Sequence, residues 1–94
     1  MNITEVRIKL LDKEGSKLKA IASMTIDGCF VVHEIKIFER EDGYIIRMPN
    51  KKVLSTGKFS DTAHPINMET REMVNNAIIR AYEEERENQR EENK

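Results

Sequence analysis

Basic side chains are concentrated in one stretch near the middle of the chain. Residues 43–60 contain no Asp or Glu, although the whole 94-residue chain has 17 acidic and 16 basic residues. The cations in question are Arg47, Lys51, Lys52 and Lys58, with Arg71 following near the expected start of a helix. Mobile Lys, fork-shaped Arg and helix N-terminal amides are the groups that meet phosphates. The pattern predicts a surface suited to nucleic acid, and an ordinary solvated loop is the alternative that composition leaves open.

Metal chemistry has little support in the spacing of soft ligands. Cys29 and His33 lie nearest to each other, yet on a strand they would be about 13 Å apart, too far to share an ion. We therefore expect no metal and no other cofactor. His33 is interpreted as a histidine of the sheet and Cys29 as a small core residue.

Nucleophilic and nucleotide-binding motifs are equally weak. Asp61 and His64 could be imagined as a dyad, but no nucleophile accompanies them, and a capped turn before a proline is the preferred interpretation. The segment Thr56-Gly57-Lys58 lacks the first glycine of a phosphate-binding loop, and Phe59 follows where Ser or Thr is required. The acid-free stretch is left as the best candidate site.

Length and charge bound the class of protein. Ninety-four residues suffice for one domain with a thin core, so oligomerisation is a plausible source of further buried area. The net charge of -1 argues against a wholly basic nucleic-acid coat but allows a local basic patch. A single cysteine, no export signal and no membrane-length apolar run predict a cytoplasmic protein without membrane insertion.

Alternating apolar residues predict four antiparallel strands joined by short turns, at residues 3–11, 18–26, 29–38 and 44–48. Turns are predicted at 13–16, at Asp27-Gly28 as a type I′ turn, and at 41–43. The third strand is apolar on both faces, which is typical of a strand that is central, or that is covered by a helix on one side and a partner subunit on the other. Its predicted faces are Val31, Ile35 and Ile37 against Phe30, Val32 and Phe38.

A helix is predicted after the sheet. Pro49 ends the fourth strand, residues 50–57 are predicted to be an irregular connection, and 58–62 a short fifth strand. Asn67 is the expected N-cap of a helix. Its apolar stripe comprises Met73, Val74, Ala77, Ile78, Ala81 and Tyr82. The prediction is one α+β domain over 1–82, a small antiparallel meander of four to five strands followed by a C-terminal helix. The charged tail, 83–94, is expected to be a helical extension or disordered, without a core contribution.

Four ordered motifs carry a family resemblance: KAIASMTID at 19–27, FVVHEIKI at 30–37, MPNKK at 48–52 and HPI at 64–66. Together they resemble the stage V sporulation protein G (SpoVG) family of septation regulators. The resemblance implies a homodimer formed by sheet association and no enzymatic activity. It also implies site-selective binding of DNA, and in some members RNA, in gene regulation, septum formation and sporulation. The nucleic-acid contacts it implies fall on Lys51, Lys52 and Arg71; Arg47 and Lys58 are added from local charge.

A second function class competes with this interpretation. The same loop and the charged tail could belong to a protein-interaction module of the cell-division machinery that does not bind nucleic acid. Such a surface more often presents an exposed aromatic or Met anchor, and in the loop only Val53 and Leu54 qualify. The absence of acidic residues from the loop favours nucleic acid.

Overall fold

Six strands and one helix follow one another along the chain in the computed structural model, which describes residues 1–11 and 15–92. The elements are β1 (Ile3–Leu10), β2 (Leu18–Ile26), β3 (Phe30–Arg40), β4 (Gly43–Arg47), β5 (Asn50–Lys52), β6 (Phe59–Asp61) and α1 (Met68–Glu92). The first four strands form an antiparallel sheet in the order β1-β2-β3-β4, and β5 pairs with β6 in a separate ribbon. The predicted α+β class is confirmed. Of the turn predicted at 13–16, residues 13 and 14 lie outside the described residues.

The β2–β3 turn has the predicted type I′ geometry. Asp27 and Gly28 both have positive φ, 51° and 67°, and the amide of Cys29 donates to the carbonyl of Ile26 at 3.1 Å. Cys29 is therefore part of the turn and is exposed. The expectation of a core position for Cys29 was wrong, because the strand begins one residue later, at Phe30.

An additional residue in β3 changes which side chains face the core. Ala22 pairs with Ile35 and Met24 with Val32, so one β2 residue lies opposite both His33 and Glu34. Glu34 has a φ of 61°, consistent with a β-bulge at this point. Val32 and Ile35 consequently face the same side, and Val31 is 44% exposed. The predicted face that grouped Val31 with Ile35 was wrong, because strict alternation does not allow for a bulge.

The core lies between one face of the four-stranded sheet and α1. The helix begins after Asn67, whose Oδ1 accepts a hydrogen bond from the amide of Thr70 at 2.7 Å, as expected of an N-cap. Its fully buried residues are Val74, Ile78 and Tyr82, spaced by four. The sheet contributes Ala20, Ala22, Met24, Val32, Ile35 and Ile37. Met73 belonged to the predicted stripe but lies at its edge and is 38% exposed.

The helix continues past the apolar stripe and keeps one further contact with the sheet. The Arg86 guanidinium carbon lies 5.5 Å from the centre of the Tyr82 ring, and its Nη1 is 3.4 Å from Oε1 of Glu39 on β3. The Tyr44 ring on β4 meets Tyr82 edge to face at 5.5 Å between ring centres. None of the core residues found in the described chain lies after Tyr82, so Arg86 adds a contact beside the core and not within it.

Burial raises the pKa of the Tyr82 phenol above its ordinary value, although the nearby Arg86 charge acts in the opposite direction. The unfolded chain then releases this proton at lower pH than the folded protein. The stabilising contribution is complete below about pH 10 and is lost as pH rises through the folded pKa, at up to about 1.4 kcal/mol per pH unit.

We expect Tyr82→Phe to remove this alkaline loss while keeping the ring and its packing. The measurement is the free energy of unfolding in urea at a series of pH values from 8 to 11, for the original protein and the variant. The variant should lose less stability above pH 10. An equally steep loss in both proteins would contradict the assignment to Tyr82.

Candidate functional site

Two of the predicted basic residues lie on an ordered ribbon. Residues 50–57 were predicted to be an irregular connection, but Asn50–Lys52 is a strand, with Lys51 opposite Ser60 and Lys52 opposite Phe59. At the base of the ribbon, the amide and hydroxyl of Thr62 donate to the Pro49 carbonyl at 2.7 and 3.1 Å. Hydrophobic periodicity could not predict the ribbon, because β5 is only three residues long.

The ribbon separates its two lysines. Successive side chains of a strand project to opposite faces, so Lys52 shares a face with Asn50 and with its partner Phe59. Lys51 projects to the other face, together with Ser60. Both lysines are exposed. Lys51 and Lys52 therefore cannot both point toward one flat surface, although they are adjacent in sequence.

The sheet face opposite α1 carries a cross-strand row in which three of four residues are basic. In register across the four strands lie Lys9, Ile21, Lys36 and Arg47. Lys36 and Arg47 are direct cross-strand partners, an arrangement in which like charges repel. Within the described residues, the ion pairs are Arg7 with Glu5, Arg80 with Glu84 and Arg86 with Glu39, so neither Lys36 nor Arg47 has a carboxylate partner there.

A cleft of about 310 Å³ lies where the sheet meets the ribbon. Its lining residues are Lys36, Phe38, Arg47, Asn50 and Phe59. Phe38 is half-buried, whereas Phe59 is 71% exposed. The cleft therefore combines two cations, two aromatic rings and an amide side chain. Sequence reasoning found Arg47 and missed Lys36, because the strand register that pairs them is not visible in the local sequence around either residue.

Arg71 and Lys58 lie at other places on the surface. Arg71 lines a separate groove of about 480 Å³ with residues 64–68, which contains none of the other four predicted cations. Lys58 lies toward the ribbon tip, where its carbonyl accepts the amide of Val53 at 2.7 Å. The five predicted site residues are thus divided among the cleft, the two faces and tip of the ribbon, and the start of the helix.

The histidines make local contacts. Nδ1 of His64 lies 3.0 Å from the Pro65 carbonyl oxygen, and no hydrogen bond joins it to Asp61 among the described residues. Nδ1 of His33 lies 3.0 Å from the hydroxyl of Ser23 across the bulge. In the part of the chain that the structure describes, no group of three His, Cys, Asp or Glu residues is placed to hold a metal ion.

A comparison with known protein families identifies the family of this chain. The SpoVG family model matches residues 1–84, which span the sheet, the ribbon and most of the helix. The chain belongs to the SpoVG family. The resemblance found in the four sequence motifs is thereby confirmed.

Relatives within the SpoVG family are similar over most of their length. A protein of Caldicellulosiruptor bescii is 53% identical over 83 residues, covering 88% of this chain and 92% of its own. One from Agathobacter rectalis is 50% identical over 88 residues, covering 94% and 99%. A Clostridium perfringens relative is 52% identical, covering 88% and 90%. Each is named "Putative septation protein SpoVG", a name that refers to septation and to no enzymatic activity.

Membrane-spanning character is not a feature of the helix. Within residues 1–11 and 15–92, no helix is both long enough and apolar enough to cross a bilayer.

The repulsion between Lys36 and Arg47 should lower the stability of the protein by a measurable amount. We expect Lys36→Thr to raise the free energy of unfolding by about 0.2–1 kcal/mol at low salt, because it removes cross-strand repulsion. The gain should shrink as added salt screens the charges. The measurement is urea unfolding at several salt concentrations.

Lys9→Thr is the matched control for this experiment. Lys9 lies in the same row of the same sheet face but opposite the apolar Ile21. The control carries the same change of residue type without the repulsive partner, so it should show no salt-dependent gain. An equal response of the two variants would contradict a repulsive pair at Lys36 and Arg47.

Proposed function

We propose that this SpoVG-family chain is a non-catalytic, cytoplasmic regulator that binds DNA site-selectively, and RNA as a further ligand, through the ribbon and the adjoining open sheet face. The observation that carries the proposal is the cross-strand pair of Lys36 and Arg47. Two cations held opposite each other without a carboxylate among the described residues favour an external anion as their partner. A phosphate group between them would turn a repulsive contact into two charge-assisted hydrogen bonds.

The ribbon extends this cationic surface. Lys52 projects from the same ribbon face as Phe59 and Asn50, both of which line the cleft beside Arg47. Lys51 projects from the opposite face, and Lys58 lies near the tip. A long backbone that passed along the sheet and around the ribbon would meet these cations in turn. Each phosphate contacted releases counterions, so several exposed lysines suffice for binding despite the overall charge of -1.

Arg71 is proposed as a separate contact. It lies in the second turn of a helix whose first turn carries Glu69, so the acidic side chain there offsets part of the attraction for an anion. Its groove with residues 64–68 is distinct from the cleft at Arg47. We therefore expect Arg71 to contribute less to phosphate binding than the ribbon lysines do.

A homodimer formed by sheet association would enlarge the surface. Within the described residues, β1 and β4 are the outer strands of the four-stranded sheet and each has one free edge. In the part of the chain that the structure describes, the core has nine buried hydrophobic residues, which is thin for an independent domain. Association of two copies would add buried area and double the number of cations presented to one ligand. Light scattering on the purified protein measures this mass directly.

In the cell, the proposed activity would couple nucleic-acid binding to gene expression and to septum formation, with sporulation as one setting in which septation matters. The relatives' shared name supports a role in septation. Division proteins would then be further partners of a protein whose direct ligand is nucleic acid.

A protein-interaction module without nucleic-acid binding is the second candidate function. It is favoured by Leu54, an apolar side chain at the ribbon tip that is 94% exposed, and by the exposed Ile66 and Met68 near the helix start. The two functions separate in a binding experiment with nucleic acid alone. Binding to protein partners that is lost in Leu54→Ser, with no nucleic-acid binding at low salt, would favour the second function.

The test of the main proposal is the double variant Lys51→Ala with Lys52→Ala. Purified protein is titrated against labelled duplex DNA and folded RNA over a salt series. If each lysine contacts one phosphate, the slope of log K against log salt on duplex DNA should fall by about 1.8, and affinity at low salt should drop. Both side chains are exposed, so the free energy of unfolding should change little.

The matched control is Lys17→Ala with Arg80→Ala, which removes the same charge from exposed positions away from the ribbon. It should keep the original slope. An unchanged slope in the ribbon variant, or an equal change in both variants, would remove the ribbon from the binding mechanism.

A further inference from the structure

Phe59 is placed in an unusual setting for an exposed aromatic residue. It is 71% exposed on the ribbon, beside the half-buried Phe38 of the sheet, and its cross-strand partner is Lys52. Its ring lines a cleft whose other side chains are the two cations and Asn50. An apolar face left in water beside uncompensated positive charge is complementary to a ligand that has both a flat aromatic surface and a negative charge.

We propose that this cleft binds single-stranded nucleic acid, with one unpaired base stacked on Phe59 and Phe38 and the adjacent phosphate held by Lys36 and Arg47. The inference rests on the proposed nucleic-acid-binding function and specifies the form of the ligand. Aromatic rings that stack on bases, next to a basic groove that follows the backbone, are the combination used for unpaired strands.

The chemistry of the cleft favours an unpaired base over a duplex. In a duplex both faces of a base are covered by its neighbours, so a ring on the protein surface has no base face to stack on unless the base is extruded. A duplex would still meet the exposed lysines of the ribbon through its phosphates. The same protein therefore has one set of contacts that depends on stacking and another that does not.

Asn50 is positioned to contact the edge of such a base. It is half-buried, and its Nδ2 donates to the Met48 carbonyl at 3.0 Å, which fixes the orientation of the amide. Among the described residues, no side-chain or backbone donor is hydrogen-bonded to its Oδ1. That oxygen is an available acceptor for an N–H on the edge of a base, such as N3–H of thymine or uracil. Lys52 lies on the same ribbon face as Asn50, outside the cleft.

The test compares Phe59→Ala with the original protein on three labelled probes: a twelve-nucleotide oligo-dT, a twelve-nucleotide oligo-rU and a twelve-base-pair DNA duplex. We expect Phe59→Ala to weaken binding of the single strands by roughly five- to a hundredfold, the range found for loss of one stacked base, and to change duplex affinity by less than about twofold. Comparison of the dT and rU arms shows whether DNA or RNA is the preferred strand.

Two further variants separate stacking from other causes. Phe59→Trp keeps an aromatic face and should retain single-strand affinity. Leu54→Ala truncates another exposed apolar side chain on the same ribbon, outside the cleft, and should leave all three affinities unchanged. A 2-aminopurine base placed within the oligo-dT should lose fluorescence on binding to the original protein and much less on binding to Phe59→Ala, since quenching reports stacking.

The outcomes distinguish this inference from the function on which it rests. Equal weakening of single strands and duplex by Phe59→Ala, or no weakening of either, would overturn the stacking site while general nucleic-acid binding stands. Failure of the original protein to bind any of the three probes at low salt would overturn both. Loss of single-strand binding in Phe59→Trp as well as Phe59→Ala would also count against stacking.

Discussion

The whole arrangement depends on one helix covering one face of a four-stranded sheet. Val74, Ile78 and Tyr82 come from a single stripe of α1, and they close the core over Ile35 and Ile37. A second helix that could cover the other face is absent from the described residues. The uncovered face must remain compatible with water or with a ligand, and it does so by carrying Lys and Arg in its central row. The open face thus carries charged residues because the single helix covers only the opposite face of the sheet.

The far end of the same helix restrains the strands that lead to the ribbon. Arg86 lies on the Tyr82 ring and reaches Glu39, while Tyr44 packs edge to face against Tyr82. These contacts tie β3 and β4 to the helix at the end of the sheet where β4 begins. The ribbon follows directly after β4, and Thr62 fastens its two ends together at Pro49. Met48 and Ala63, which flank the ribbon, also pack against the core, so the ribbon is anchored where it joins the rest of the chain.

Local sequence signals were sufficient for much of this fold. The bounds of β2, the turn at Asp27-Gly28 and the cap at Asn67 could all be predicted, because each depends on residues that are neighbours in the chain. What could not be predicted depends on which residues pair between consecutive strands. The ribbon at Asn50–Lys52 is held by hydrogen bonds to β6, and the opposition of Lys36 and Arg47 arises from the β3–β4 register. Four of the basic site residues were recognisable from an acid-free stretch, but their division between faces required the strands.

The bulge at Glu34 has a consequence for how this chain can change in length. Because two residues of β3 lie opposite one residue of β2, the segments before and after the bulge present their side chains in opposite phase. Deleting His33 or Glu34 would restore strict alternation and keep Val32 on the same face as Ile35, because the two residues would then lie two positions apart. Burial therefore allows β3 to lose one residue at the bulge, whereas a one-residue change within the regular segment on either side would move buried side chains to the open face. In the evolution of the family, changes in the length of β3 should therefore occur at the bulge and not in the paired segments beside it.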